Sequence, residues 1–277
     1  MAAQFLRNLR SFVLPRIYPM RSQLSIITIA TAAALLLSVA ETARAVGAAD
    51  ELIKQGDIFY FKLQPSEALK FYLPAEKLDP ENPGLLVRIS RQYRHLMSDT
   101  AKRDEKLRLG NIAVGYSRRA VEIAPKDPEA QLAVAISYGK VLPLQGKREQ
   151  VDNSRVIKAA AEKVVALDPR NDLGWHVLGR WYFNMANVSA VKRALAQLAY
   201  GKLPAATNDD AVRCFEKAIE LNPSRLMHYI ELGRTYAEME RPAEARKFIS
   251  KGLAMTDTEK DDPETKSKGR EVLAKLR

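Results

Sequence analysis

Apolar residues recur along the chain at helical spacing, and prolines interrupt this pattern at similar intervals. Segments ending KLDP, EIAP, ALDP and ELNP place these prolines at Pro80, Pro125, Pro169 and Pro223. Proline lacks a backbone N–H and disfavours the helical conformation in the residue before it. Each proline therefore marks the end of one helix and the turn into the next, and the pattern predicts an all-α chain.

A short phrase recurs within these segments. LGRWYF at 178–183 returns as LGRTYA at 232–237, and ISRQYR at 89–94 is a looser copy. In a helix the apolar, small and tyrosine residues of this phrase share one face. A small residue there lets a partner helix approach closely. Alanines in the following helix, such as Ala68 and Ala245, are predicted to lie at the same crossing, on the surface that faces the small residue of the first helix.

These spacings resemble the tetratricopeptide repeat (TPR), which is a pair of antiparallel helices in about 34 residues. The resemblance implies an all-α, TPR-like α-solenoid of about five helix pairs with extended helices and a C-terminal capping helix. Stacking is required because a single pair cannot bury its apolar faces. We place the solenoid at 46–262 and the charged capping helix at 263–277.

The prolines are further apart than one standard repeat, so insertions are expected. Residues 98–124 are predicted to form one long second helix, and LPLQGKRE at 142–149 a looped connection. The spacing of Val191, Leu195 and Leu198 predicts an extra amphipathic helix that ends at Gly201. Thr207, with an aspartate three residues on, is predicted to cap the next helix.

The first 45 residues have the layout of a targeting segment. Arginines precede an apolar run from Leu24 to Ala40, and Ala43–Arg44–Ala45 fits a signal-peptidase site. The run is shorter than the roughly 20 residues of a membrane span. We expect a removable export signal and hence a periplasmic or secreted protein; an uncleaved membrane anchor and an organelle presequence are the alternatives.

Charge and composition narrow the classes of function. The net charge is +11, and loss of residues 1–45 removes five arginines and Glu41, leaving +7. Acids are interspersed with the basic residues and aromatics are not interleaved, so nucleic-acid binding is not predicted. Cys214 is the single cysteine, which excludes an internal disulfide. It is predicted to be a small buried residue.

Residues 179–223 resemble more than a generic repeat. A tryptophan-containing helix runs into a basic amphipathic segment, a GKLPAAT loop and a standard second helix. This arrangement is similar to the regulator of microtubule dynamics protein family, whose members carry the same insertion. LLVRISRQYRHL at 85–96, followed by a long charged helix, matches that family's second unit. The resemblance covers about 50–255 and implies a helical-repeat protein linked to microtubules, spindle poles or organelle membranes.

The sequence carries no pattern for catalysis. His95, His176 and His228 are expected to sit singly on helices, without a second histidine or cysteine at metal-ligand spacing. No nucleophile elbow, phosphate-binding glycine loop or dinucleotide fingerprint is found. We therefore predict no enzyme, no cofactor and no metal.

The repeated arginine is the candidate binding group. Arg91, Arg180 and Arg234 each follow the small crossing residue and point away from the packed face. By analogy with TPRs they line the concave groove, together with Arg94 and His176. Such a groove would bind an acidic segment or a C-terminal carboxylate through charge-assisted hydrogen bonds. The alternative is that these arginines are solvated or pair with acids of the next repeat.

The preferred hypothesis is a non-catalytic interaction scaffold that binds a peptide or protein in a basic concave groove. The alternative function is a membrane-associated tether. It would use the N-terminal apolar segment and the inserted helix 189–202, where Lys192, Arg193 and Lys202 could meet an anionic surface. That helix could instead pack on its own solenoid with its charges outward.

Overall fold

The computed structural model describes residues 43–201 and 204–276, and every regular element in those residues is helical. The chain divides between Gly47 and Ala48 into two compact units, and the stacked helices belong to the second, Ala48–Arg277. A short 3-10 helix, Leu142–Leu144, lies between the fifth and sixth helices. The α-helices of the described residues are α1 (43–61), α2 (Pro65–Leu78), α3 (Pro83–Ser98), α4 (Arg103–Ile123), α5 (Pro128–Val141), α6 (Lys147–Leu167), α7 (Asp172–Ala186), α8 (Ala190–Tyr200), α9 (Asn208–Leu221), α10 (Leu226–Glu238), α11 (Pro242–Ala254) and α12 (Asp262–Lys275).

The helices form five stacked hairpins. The pairs are α1 with α2, α3 with α4, α5 with α6, α7 with α9, and α10 with α11, and α12 packs on α10 and α11. Each first helix also packs on the first or second helix of a neighbouring pair, so the apolar faces form a continuous series of cores. The predicted all-α solenoid of about five helix pairs with a last helix packed on its end is confirmed.

The small residues of the repeated phrase lie where the helices cross. A Cβ on Gly179 would meet the ring of Phe215 at 2.8 Å, and one on Gly233 would meet the Ile249 amide nitrogen at 2.9 Å. Ala211 and Ala245 on the facing helices are fully buried. The close approach between paired helices therefore requires the residue size that the sequence places there.

Side-chain caps and prolines fix where the helices begin. The Oδ1 of Asn82 accepts a hydrogen bond from the Leu85 amide at 3.0 Å, and Pro83 occupies the first turn of α3. Thr207 and Asp210 form the reciprocal capping box predicted for α9. A capped N-terminus satisfies amides that the helix itself leaves without partners, so the loops between pairs stay short.

The insertions of the second and third units lengthen helices rather than loops. The second unit does have a long second helix, α4, but it begins at Arg103 rather than at the predicted residue 98, which still belongs to α3; α6 also has 21 residues. The connection predicted as looped is largely helical, because Leu142–Leu144 forms a 3-10 turn and α6 already begins at Lys147. Three further turns keep an apolar face in phase with the hairpin core.

Helix α8 is the predicted extra helix of the fourth unit, and it ends at Gly201, whose φ of +81° favours glycine. Its apolar side chains are not covered: Val191 is 71% exposed, Leu195 62% and Leu198 87%. The basic side chain of Arg193 donates to the carbonyl of Met185 in α7, while Lys192 is exposed. Lys202 lies outside the described residues. The helix thus presents an unpartnered apolar strip.

The segment between α11 and α12 returns to the first half of the solenoid. We call residues 256–261 the strap. Asp261 Oδ1 accepts a hydrogen bond from Ser98 in α3 at 2.7 Å, and Lys260 pairs with Asp99 at 2.7 Å. Glu259 pairs with Arg225 at the start of α10, also at 2.7 Å. The fifth unit is therefore joined directly to the second.

The predicted leader at 1–45 lies almost wholly outside the described residues, and export stays a prediction. Within the described residues, no helix is both long and apolar enough to cross a membrane.

Candidate functional site

A cavity of about 1110 Å³ opens between α5, α6, α7 and α8, and the start of α12 forms part of its wall. One side of α7 supplies a stripe of residues at spacings of three and four, which is the helical period. The lining is mainly apolar and includes Ile136, Val151, Val177, Trp181, Met185 and Leu195. A concave, largely apolar space with a few polar groups is the usual form of a binding site.

The charged residues of this cavity are mostly basic. Lys140 is paired with Asp261 at 2.7 Å, Lys158 with Glu162 at 2.8 Å, and Lys268 with Glu264 at 2.6 Å. Lys147, Arg180 and Lys192 also line it, and none of the three makes an ion pair with a carboxylate of the described residues. The cavity thus carries uncompensated positive charge beside its apolar wall.

Of the predicted site residues, Arg180 has the position that best suits ligand binding, because it lies at the cavity wall. It is exposed, although Leu178 and Gly179 beside it are buried in the hairpin core. Because the guanidinium stays charged and carries five donors in a fixed plane, it can hold a carboxylate with two hydrogen bonds.

His176 lies in the same wall but is only 2% exposed. Its Nδ1 is 3.0 Å from Nδ1 of His228, whose Nε2 is 2.9 Å from Asp172 Oδ2. Burial, followed by the charge of His228, holds the pKa of His176 well below its usual value. Each of these histidines sits singly on its helix, as expected, but the stacking of the hairpins brings the two rings into contact, which the sequence did not predict. No group of three or more metal-ligating side chains occurs in the described residues.

Arg91 and Arg234 have partners within the chain. Arg91 donates to the Tyr60 hydroxyl at 2.5 Å, lies over that ring, and is 3.9 Å from Glu129. Arg234 bonds both oxygens of Glu231, the shorter at 2.8 Å, and lies over the ring of Phe183. For Arg91 the structure shows the alternative that the sequence left open, a pairing with an acid of the next repeat. Arg234 is also paired internally, but with an acid of its own helix, which the sequence analysis did not consider.

Arg94 is 5% exposed, and its Nη1 has no hydrogen-bond partner. Burial, with a further contribution from the charge of Arg91, lowers its pKa to about 9. It does not line the cavity, and neither do Arg91 and Arg234. Of the five predicted site residues, the structure brings only His176 and Arg180 to the cavity wall.

Sequence reasoning missed three residues that matter to the cavity. Lys140 and Lys147 stand at the two ends of the 3-10 connection, and Trp181 is buried against α6, where its indole N–H donates to the Ser154 carbonyl at 3.0 Å. Lysines that flank an insertion between paired helices are a signal that could have been used. The tryptophan could not be told from a core residue.

Five stacked hairpins, with small residues where the paired helices cross, define a TPR-type solenoid. The solved structures that it resembles include a thermophilic TPR protein of Thermus thermophilus, with a TM-score of 0.60 and 18% identity over 82% of this chain and 100% of that one. PilF of Pseudomonas aeruginosa gives 0.52 and 13% identity over 84% and 90%. At these identities the likeness shows the fold alone.

The profile of the regulator of microtubule dynamics protein 1-3 family matches residues 48–277. The chain belongs to this family, as the sequence resemblance predicted. It is 26% identical to regulator of microtubule dynamics protein 1 of Mus musculus, over 87% of this chain and 79% of that protein. With protein 2 of Homo sapiens the identity is 25% over 69% of this chain and 47% of the relative. The chain thus spans about half the length of the protein 2 relatives.

Proposed function

We propose that this protein is a non-catalytic interaction scaffold whose cavity takes up a segment of a partner protein. The TPR fold and the family support a protein-interaction role in general. The observation that carries the specific proposal is the exposed, ion-pair-free Arg180 in a largely apolar cavity wall. Such a wall suits a segment that brings apolar side chains together with a carboxylate.

The reactive side chains of the chain favour this proposal over catalysis. Burial raises the pKa of Cys214 to about 12, so the thiol is not ionised near neutral pH. All three histidines are buried, and burial lowers the pKa of each. A nucleophile or a general base needs access to its substrate, and these groups lack it.

Arg180 gives the cavity its specificity in this proposal. A carboxylate bound there would be partly screened from water by Val177 and Trp181, and charge-assisted hydrogen bonds in such surroundings are about twice as strong as neutral ones. Apolar side chains of the same segment would cover Met185 and the exposed strip of α8. A partner segment with apolar residues and a free C-terminal carboxylate fits both requirements.

The test uses one charge reversal. A peptide is selected on the wild-type protein from a displayed library of random C-terminal sequences, and its affinity is measured by fluorescence anisotropy. Arg180→Glu is expected to weaken binding by about 10- to 100-fold, because it removes charge-assisted hydrogen bonds and adds repulsion. Amidation of the peptide C-terminus should produce a similar loss.

Arg118→Glu is the matched control. Arg118 is 62% exposed, and its ion pair with the helical neighbour Glu122 is weak because the charged atoms are 4.0 Å apart. It should leave the affinity within about twofold. Arg234→Glu is unsuitable, because it would face the buried Glu231 and unsettle the fold. Equal binding by the Arg180→Glu and wild-type proteins would refute the proposal.

A second candidate function is attachment to an anionic membrane surface through α8. Three apolar side chains of α8 are 62–87% exposed, and Lys192 lies beside them. Helices with an apolar strip and basic flanks lie in the lipid interface, and each buried large apolar side chain contributes about 1.5–3 kcal/mol.

Sedimentation with vesicles of 30% phosphatidylserine in phosphatidylcholine tests this attachment. Leu195→Glu together with Leu198→Glu should lower vesicle binding at least tenfold. The control is Leu167→Glu, an exposed apolar position at the end of α6 that is 42% exposed. Binding that depends on salt alone, and not on these leucines, would exclude α8 as the anchor.

A further inference from the structure

Polar contacts hold the strap against the solenoid. Besides the bond from Ser98, the carboxylate of Asp261 accepts from Lys140 Nζ in α5 at 2.7 Å. Thr256, Asp257 and Thr258 are exposed, and the strap has no regular secondary structure before its last turn. A segment with few buried apolar contacts opens at low free energy compared with the helical core. Its position therefore depends on these polar contacts: those of Asp261, the ion pairs of Glu259 and Lys260, and the bonds that the amides of Thr258 and Glu259 donate to Asp262 Oδ2 at 2.8 Å.

Ser98 in α3 and Lys140 in α5 are the groups that contact the Asp261 carboxylate, and we call the place between them the socket. Arg94 and His95, on the same helix as Ser98, are near enough for their charges to act on Asp261 but do not bond to it. Arg94 and His95 are both buried, and each has a side-chain nitrogen without a hydrogen-bond partner, Nη1 of Arg94 and Nδ1 of His95. Asp261 is among the charges that act on both. Lys140 completes the socket at its cavity side. Buried positive charge and an unpartnered donor, those of Arg94, thus lie close to the socket, and Asp261 is the carboxylate that Ser98 and Lys140 bind there.

An empty socket is unfavourable, because it leaves the buried Arg94 and the partly buried Lys140, whose side chain is 25% exposed, without the charge of the carboxylate. The strap can therefore leave readily only if another anion enters. A carboxylate is the matching group, because Ser98 and Lys140 already hold the two oxygens of one.

We propose that Ser98 and Lys140, one helical turn from the buried Arg94, form a carboxylate-binding socket, in which Asp261 stands in for an acidic residue of the partner. The partner's carboxylate displaces Asp261 and releases the strap. This inference rests on the proposed scaffold function and names a second anchor for the same partner. Lys140 and Asp261 line the same cavity as Arg180, so one acidic segment can engage both places.

The test measures how tightly the protein binds the strap sequence when it is supplied as a separate peptide. The probe is a fluorescein-labelled peptide TDTEKDDPE, the sequence of Thr256 to Glu264. In the wild-type protein the tethered strap competes at an effective concentration in the millimolar range. In full-length Asp261→Asn the socket is vacated, so the peptide should bind at least tenfold more tightly than to the wild type. Adding Lys140→Ala to this variant should abolish the gain.

Asp257→Asn is the matched control, because Asp257 lies in the same strap, is 43% exposed and pairs with Lys266 instead of the socket. It should bind the probe as weakly as the wild type. A peptide with asparagine in place of the residue corresponding to Asp261 should not bind to any variant. Circular dichroism checks that each variant keeps its helical content.

Hydrogen exchange gives a second readout that needs no ligand. The amides of Thr258 and Glu259 are protected in the strap by hydrogen bonds to Asp262 Oδ2 at 2.8 Å, and they should exchange at least tenfold faster in Asp261→Asn than in the wild type or in Asp257→Asn. Unchanged exchange would show that Asp261 does not hold the strap and would overturn the proposal. The proposal would also be overturned if the strap exchanged faster but the peptide did not bind at millimolar concentration, or if the peptide bound equally to all variants. Neither readout involves Arg180, so the socket and the cavity proposal can fail separately.

Discussion

Lowering the pH from 7 to 5 is expected to reduce the free energy of unfolding by about 2 kcal/mol from His95 alone. Burial, and then the charge of Arg94, lowers the pKa of His95 to about 4. His95 therefore contributes about 2 kcal/mol over this interval. Burial, and then the charge of His228, also lowers the pKa of His176, so this ring adds to the loss in the same direction. His228 adds a smaller share in the same direction, because its bond to Asp172 opposes the effect of burial.

The sign follows from proton uptake. In the unfolded chain these rings titrate near 6.5, whereas in the folded protein they stay neutral to lower pH, so unfolding takes up protons. Stability is therefore fully present above the unfolded value and is lost as the pH falls below it. Urea titrations followed by helical circular dichroism at pH 7, 6 and 5 measure this.

His95→Gln is the control for the pH dependence, since it keeps a polar side chain that cannot be protonated. It should reduce the slope of the free energy of unfolding against pH by about 1.4 kcal/mol per unit below pH 6. An unfolding free energy that is constant between pH 7 and pH 5 would contradict the burial of these rings.

Gly233→Ala is expected to destabilise the protein by about 1–3 kcal/mol. The added Cβ would lie 2.9 Å from the Ile249 amide nitrogen and 3.0 Å from the Ala245 carbonyl oxygen. Both are backbone atoms of α11, which cannot rotate away as a side chain can. The two helices must therefore separate. The change is measured by urea unfolding at pH 7.

Gly115→Ala is the matched control for the crossing glycine. Gly115 also lies inside a helix, and an added Cβ would find no atom within 4 Å. Alanine is the better helix former, so this variant should gain about 0.5–1 kcal/mol. If both variants shifted stability in the same direction, close packing at Gly233 would not be the cause.

The fold was predictable because its determinants are local. Proline turns, the cap at Thr207 and the small residues at 179 and 233 each act within one hairpin, and the next hairpin repeats the same requirement. The amphipathic α8 was also predictable, because its period and terminal Gly201 are encoded within about a dozen residues. Chain periodicity therefore determines the order and pairing of the helices.

The site was only partly predictable, because its determinants are pairings between distant positions. Helical periodicity places Arg180 and Arg234 at equivalent positions of their helices. Yet Arg234 is paired with Glu231, whereas no described carboxylate pairs with Arg180. His176 and His228 belong to different hairpins and meet only once these are stacked. The contact of Ser98 with Asp261 joins positions 163 residues apart, and no local pattern indicates it.

The strap also changes how such an array should unfold. In an open solenoid each unit touches only its neighbours, so stability propagates in one dimension and the end units can fray independently. Here the last connection is fastened to the second unit, and units two to five form a closed loop. Loss of the C-terminal helix would then weaken the second unit as well as the fifth, so these four units should melt together as one cooperative block.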